Sequence, residues 1–231
     1  MKRIIILVEG QTEESFVKNL LIPHMANKQI ILTPILLTTK RVKNRDVFER
    51  GLPGRRFKGG ISTYAKVKAD IRNVLMDREA IVTTMIDFYG LPLDFPGMDN
   101  LPNGQSLEKV YHLERCLEND INVHRFRPYF MLHEYEALLF SNPLEIAGAF
   151  PGQNIVEPLQ RIKEQFSSPE EINHGKDTHP SARILAYTAG YRKPFHGALI
   201  AQRIGLSAIR RECSHFDGWI DWMETFITDQ I

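Results

Sequence analysis

Four carboxylates, Glu9, Asp87, Glu134 and Glu136, stand at or just past segments that read as buried strands. In an open parallel sheet the carboxyl ends of the strands line one crevice, so acids far apart in sequence can converge there. Several converging carboxylates cannot all ionise together without a cation. Oxygen ligands favour Mg2+ or Mn2+, and such an ion can activate water and stabilise charge on a phosphodiester under attack. An acid after a strand is also an ordinary turn or cap residue; three strand ends of the same kind weaken that simpler account. Glu9, Asp87 and Glu134 are therefore the expected metal ligands, and together with Glu136 the expected catalytic groups.

Cations that could meet a phosphate are scattered. The segment from Lys40 to Lys58 is rich in Lys and Arg, with Asp46 and Glu49 its only acids. It reads either as a phosphate-contacting loop or as a solvated one. Lys58-Gly59-Gly60 before a helix start could offer amides to a phosphate, but it is not a Walker A motif, and no ATP binding is expected. Lys176, Arg183 and Lys193 are candidates for a lid over the acids, although Ser181 could simply cap a helix with Arg183 on its outer face. His133-Glu134-Tyr135-Glu136 lacks the His-Glu-x-x-His spacing of a zinc protease. No Gly-x-Ser-x-Gly elbow is present, and Cys116 and Cys213 have neither paired nor nucleophile-like surroundings.

The elements that must position these groups read as follows. Ile4 to Val8 is a continuous β-rich run, buried on both faces, and Gly10 then allows a turn into a helix that Thr12 can cap, with Glu13 and Glu14 in its first turn. Ile30 to Thr38 reads as a second strand, with Pro34 pointing to an edge or a bulge. Ala80 to Asp87 is a strongly buried strand, and Arg127 to Leu132 another strand candidate. Thr63 to Met76 and Ser106 to Asn119 read as helices, and residues 133 to 140 turn apolar at helical spacing. Strands alternate with helices over the first 140 residues, which implies a mostly parallel α/β sheet, and a helical extension covers 141–231. Trp219, Trp222 and Phe226 share one face of the last helix, suited to core packing or an interface.

Bulk properties exclude little. The 231 residues carry 29 Lys plus Arg against 28 Asp plus Glu, so net charge neither favours nor disfavours a nucleic-acid partner. The apolar run at the start is too short for a signal peptide, and none approaches a bilayer span, so the expectation is a cytoplasmic chain without a membrane partner.

Long motifs carry a resemblance. VEGQTEESF, IDFYGLPLDFPG, HEYEALLF, PEEINHGKDTHPSARIL and YRKPFHGALIAQRIGL resemble a bacterial family known as a domain of unknown function and classed as Toprim-like. The resemblance runs through nearly the whole chain. It implies a Toprim-like mostly parallel sheet flanked by helices over 1–140, with the helical extension after it. The Toprim fold is shared by topoisomerases, primases and overcoming-lysogenization-defect nucleases, which hold Mg2+ on a glutamate after the first strand and acids after a later one. By position Glu9 matches that glutamate and Asp87 the first acid of the later pair. The second acid of that pair is Tyr89 here, a departure that leaves full two-metal chemistry to a substitute such as Asp94, Glu134 or Glu136. Members of this family also look like companions of ABC-type ATPases in defence or repair modules. The expected function is a metal-dependent phosphodiesterase, foremost a nuclease on DNA or RNA. A non-catalytic partner of an ATPase is the alternative, and nucleotide transfer as in primases a third reading.

Overall fold

The computed structural model describes residues 2–38, 61–172, 175 and 178–225. A five-stranded sheet forms the centre: β1 (Lys2–Val8), β2 (Ile30–Leu36), β3 (Ala80–Asp87) and two short strands, β4 (Phe126–Arg127) and β5 (Phe130–Met131). The order is β2-β1-β3-β4, β5 also pairs with β3, and every pairing is parallel. β2 lies at the edge, as Pro34 suggests; Pro34 pairs with Ile6, and an edge position tolerates its missing N–H.

The strand expected over Arg127 to Leu132 is broken in two at Pro128, which has no amide to give to a ladder. The Thr84 hydroxyl bridges the gap. It accepts from the Tyr129 amide at 2.9 Å and donates to the Tyr129 carbonyl at 3.0 Å.

Alternation along β1 feeds two cores. Ile4, Ile6 and Val8 point into one, and Leu7 into the other. α3 (Tyr64–Leu75) and α4 (Ser106–Ile121) cover the Leu7 face through Val67, Ile71, Val110, Leu113 and Leu117. The opposite face is covered first by α1 (Gln11–Phe16) and α2 (Ile22–Ala26). A widened turn at Val17–Leu21 joins them just before Pro23, whose ring and missing N–H would disturb a regular helix there. The same core continues through α5 (Pro143–Gly148), α6 (Val156–Lys163), α7 (Pro180–Tyr187), α8 (Ala198–Ile204), α9 (Leu206–Glu212) and α10 (Ser214–Thr225). The chain is thus an α/β protein: a mostly parallel sheet between helices, with further helices towards its C-terminal end.

Two local expectations need correction, and the reading of the last helix as core packing holds for Trp219. α1 starts at Gln11 with Gly10 as its N-cap residue, so Thr12 lies inside the helix and does not cap it. Residues 133 to 140 do not form an amphipathic α-helix; Tyr135–Ser141 is a 3-10 helix whose every residue is buried, because core surrounds it on all sides. In α10, Trp219 is core: its indole N–H donates to the Thr83 hydroxyl at 2.9 Å and its ring stacks on Tyr129 at 4.3 Å. Trp222 is half-buried under the Arg127 guanidinium, and Phe226 lies outside the described residues. Among the described residues no helix is long and apolar enough to cross a membrane.

Candidate metal site at the strand ends

Parallel pairing of β1 with β3 sets Val8 against Met85, so both strands finish at the same edge of the sheet. Glu9 and Asp87 leave the strands there side by side, and the Asp87 amide donates to Glu9 Oε2 at 3.4 Å. The turn after β3 brings Gly90 against the Glu9 carboxylate, where a Cβ would stand 3.5 Å from Oε1.

Glu13 completes this side. It is the third helical residue after the Gly10 cap, the position from which a glutamate reaches back to the cap amide. Its Oε2 lies so close to Gly10 that a Cβ there would be 3.1 Å away, and the side chain is buried.

Glu134 and Glu136 flank the start of the 3-10 helix and face Lys193, which lies on a short widened turn, Lys193–Gly197, leading into α8. The Lys193 ammonium donates to Glu134 Oε1 and to Glu136 Oε2, at 3.0 Å each. Tyr191 donates to Glu136 Oε1 at 3.2 Å and Tyr89 to Glu134 Oε1 at 3.3 Å. The amide of Ser181, in the first turn of α7, donates to Glu134 Oε2 at 2.9 Å. His179 Nδ1 lies 3.1 Å from the same oxygen and 3.2 Å from the Ala182 amide. A protonated Nδ1 serves the carboxylate, an unprotonated one caps α7. His179, not Ser181, is therefore the side chain at the helix cap.

Electrostatics divides the five acids. Burial pushes the Glu9 carboxyl up to about 7, and the charge of Glu13 adds to it. Asp87 is raised well above its ordinary value by burial first, then by Glu13, Glu9 and Glu134. Glu13 is raised by burial too. Burial also works against Glu134, yet Lys193 and Ser181 hold its carboxyl down at about 2. Glu136 sits at about 7, raised by burial against the pull of Lys193. Lys193 itself is raised: both carboxylates outweigh its partial burial. One ammonium cannot neutralise all five acids, so Glu9, Glu13 and Asp87 must share protons or a further cation.

The donor set suits a hard divalent ion of the Mg2+ type. Asp87 Oδ1 is buried without a hydrogen-bond partner among the described residues. No three His, Cys, Asp or Glu side chains among them are grouped to hold a metal ion. Mg2+ can be held by one or two carboxylates, with water and substrate phosphate filling the rest of its shell. Glu9 and Asp87 are the pair that could supply those carboxylates.

The expected phosphate ligands fare differently. Lys58 and Lys176 lie outside the described residues, as does most of the basic segment. Arg183 donates to the Thr178 carbonyl and lies over the Phe166 ring at 5.5 Å. Lys193 is at the site but binds carboxylates. Asp94 caps α3 through the Tyr64 amide at 3.0 Å, and no contact joins it to the acids. A cavity of about 820 Å3 between α4 and α10, walled by Tyr111, His215, Trp219 and Trp222, contains none of the site acids.

Tyr191, His179 and the Ser181 amide are partners that sequence reasoning does not single out, whereas it places Glu13 in the first helical turn after Glu9 as a possible outer-shell group. Glu13 has a usable signal, since a glutamate three residues past a strand-end glycine must fold back towards that strand end. No curated protein and no solved structure matches the chain. The model of a family described as Domain of unknown function (DUF4276) matches residues 8–224, a span holding every acid and cation of this site, and the chain belongs to that family.

Proposed function

We propose that the protein is a metal-dependent phosphodiesterase acting on nucleic acid, with a Toprim-like core and a divalent ion held by Glu9 and Asp87. The observation that carries this reading is the meeting of Glu9 and Asp87 at the ends of parallel neighbours, where the Asp87 amide donates to the Glu9 carboxylate and Asp87 Oδ1 is buried and unpartnered among the described residues. The resemblance of VEGQTEESF and IDFYGLPLDFPG to a family classed as Toprim-like, by which Glu9 and Asp87 match the metal-holding acids by position, supports it. When bound, the ion supplies charge for a phosphodiester oxygen and for an attacking water. The chain's own residues do the rest. Glu13, packed over Gly10, adds negative potential that favours a cation. Lys193 gathers Glu134 and Glu136, and Tyr89, half-exposed beside Glu134, borders the approach to the site.

Glu9→Gln tests the reading. It should abolish Mg2+- or Mn2+-dependent cleavage of DNA or RNA and leave the far-UV circular dichroism spectrum unchanged. Normal cleavage by this variant would refute the assignment.

A second reading is a non-catalytic, Toprim-like partner of an ABC-type ATPase in a defence or repair module. Tyr89 in place of a second acid favours it, as does the engagement of Glu134 by hydrogen-bond donors. Cleavage by the isolated chain excludes it; activity that appears only with the ATPase supports it.

A further inference from the structure

Glu134 is engaged on both oxygens. A carboxylate has two oxygens and about four lone-pair sites. Oε1 of Glu134 takes Lys193 and Tyr89, while Oε2 takes the Ser181 amide with His179 Nδ1 beside it. Glu136 is fully buried, and its two oxygens meet Tyr191 and Lys193. Neither acid has an open face for a metal ion while Lys193 is in place.

Lys193 is also held still. The Tyr135 hydroxyl donates to the Gly197 carbonyl at 2.8 Å, and Gly197 lies so close to the Tyr135 ring that a Cβ would be 2.9 Å from Cε1. The Arg192 amide donates to His196 Nδ1 at 2.9 Å. The turn that carries Lys193 is thereby fastened to the 3-10 helix that carries Glu134 and Glu136. The ammonium is a point charge at a fixed place, as a bound cation is.

We propose that Lys193 stands where a second divalent cation would otherwise bind, so that the site takes one ion, between Glu9 and Asp87, and the chain supplies the second positive charge itself. This rests on the metal reading above. It gives Tyr89 a place: a residue that donates to Glu134 suits a site where Glu134 receives hydrogen bonds, whereas an acid there would repel it. A phosphodiester entering the site would then meet one metal ion and one ammonium.

Counting bound Mn2+ by electron paramagnetic resonance, with Mn2+ as the sole added ligand, tests this. Wild-type protein should bind one Mn2+ per chain. Lys193→Gln and Lys193→Met, which both remove the ammonium charge from between the two carboxylates, should each bind two. The double variant Glu9→Gln/Lys193→Gln should bind one, because it loses the ion at Glu9 and keeps the one gained at Glu134 and Glu136. Melting curves accompany each variant, and the glutamine variant guards against a methionine variant that fails to fold. Two ions in the wild type, or one ion in folded lysine variants, would overturn the inference and leave the metal reading standing. No ion in the wild type would overturn the metal reading itself, and the inference with it.

Discussion

Replacing Glu9 by Gln is expected to stabilise the metal-free protein near neutral pH. Burial, and then the charge of Glu13, raise this carboxyl from 4.5 to about 7. The folded state therefore binds the proton more tightly than the unfolded chain does. Such a group contributes fully to stability below its unfolded value, and the contribution is lost as pH rises through the folded value of about 7. Each pKa unit corresponds to about 1.4 kcal/mol, so ionising Glu9 within the fold costs up to about 3 kcal/mol by about pH 8. A glutamine never ionises and can still accept from the Asp87 amide. Allowing for relaxation around the site, Glu9→Gln should gain about 1–2 kcal/mol there. At about 2–4 °C per kcal/mol for a chain of this size, the melting temperature should rise by about 2–8 °C. The gain should fade towards about pH 5, where the wild-type carboxyl is protonated in the fold. Calorimetric melts of both proteins with chelator, across about pH 5 to 8, measure it. A variant that melts at or below the wild-type temperature at about pH 8, or a difference that does not change with pH, would refute the electrostatic account of the site.

Gly197→Ala should place its Cβ 2.9 Å from the Tyr135 ring and push away the turn that carries Lys193. A loss of about 1–3 kcal/mol by denaturant melt is expected, with cleavage falling more than folding; an unchanged melt would contradict the close packing. Trp219→Phe should strip the buried Thr83 hydroxyl of its donor and weaken the stack on Tyr129, costing about 1–3 kcal/mol while Mn2+ binding is kept. Cys213 is buried and its thiol pushed well up, first by burial, so a thiol reagent should label Cys116 in the native protein and reach Cys213 only in denaturant. Fast labelling of both would contradict the packing of Cys213 against Ser141.

The parts of the fold that depend on local pattern are readable in the sequence. Ile4 to Val8 is an unbroken apolar run, and Ala80 to Asp87 a β-rich one broken only by Thr83 and Thr84 before its terminal acid, because helices cover both faces of their strands; such runs betray themselves without partners. Pro34 puts its strand at the edge for the same local reason. Sequence reasoning fails where packing overrules local pattern. The spacing of Ala137, Leu138 and Phe140 suggests one inward helical face, but core surrounds that segment entirely and it winds as a 3-10 helix. The acids at the ends of β1 and β3 can be named because strand polarity alone brings them together. The partners of Glu134 cannot: Ser181 lies 47 residues away and Lys193 lies 59 residues away, and only the packing of α7 and the turn before α8 on the 3-10 helix unites them. Lys193 reads from sequence as a phosphate ligand because a lone lysine before a helix says nothing of two carboxylates waiting opposite it.

Anomalous scattering from a crystal soaked in Mn2+ tests the central claim most directly. The account predicts a peak between the carboxylates of Glu9 and Asp87, absent from Glu9→Gln crystals. A peak elsewhere, or none at all in the wild-type crystal, would contradict it.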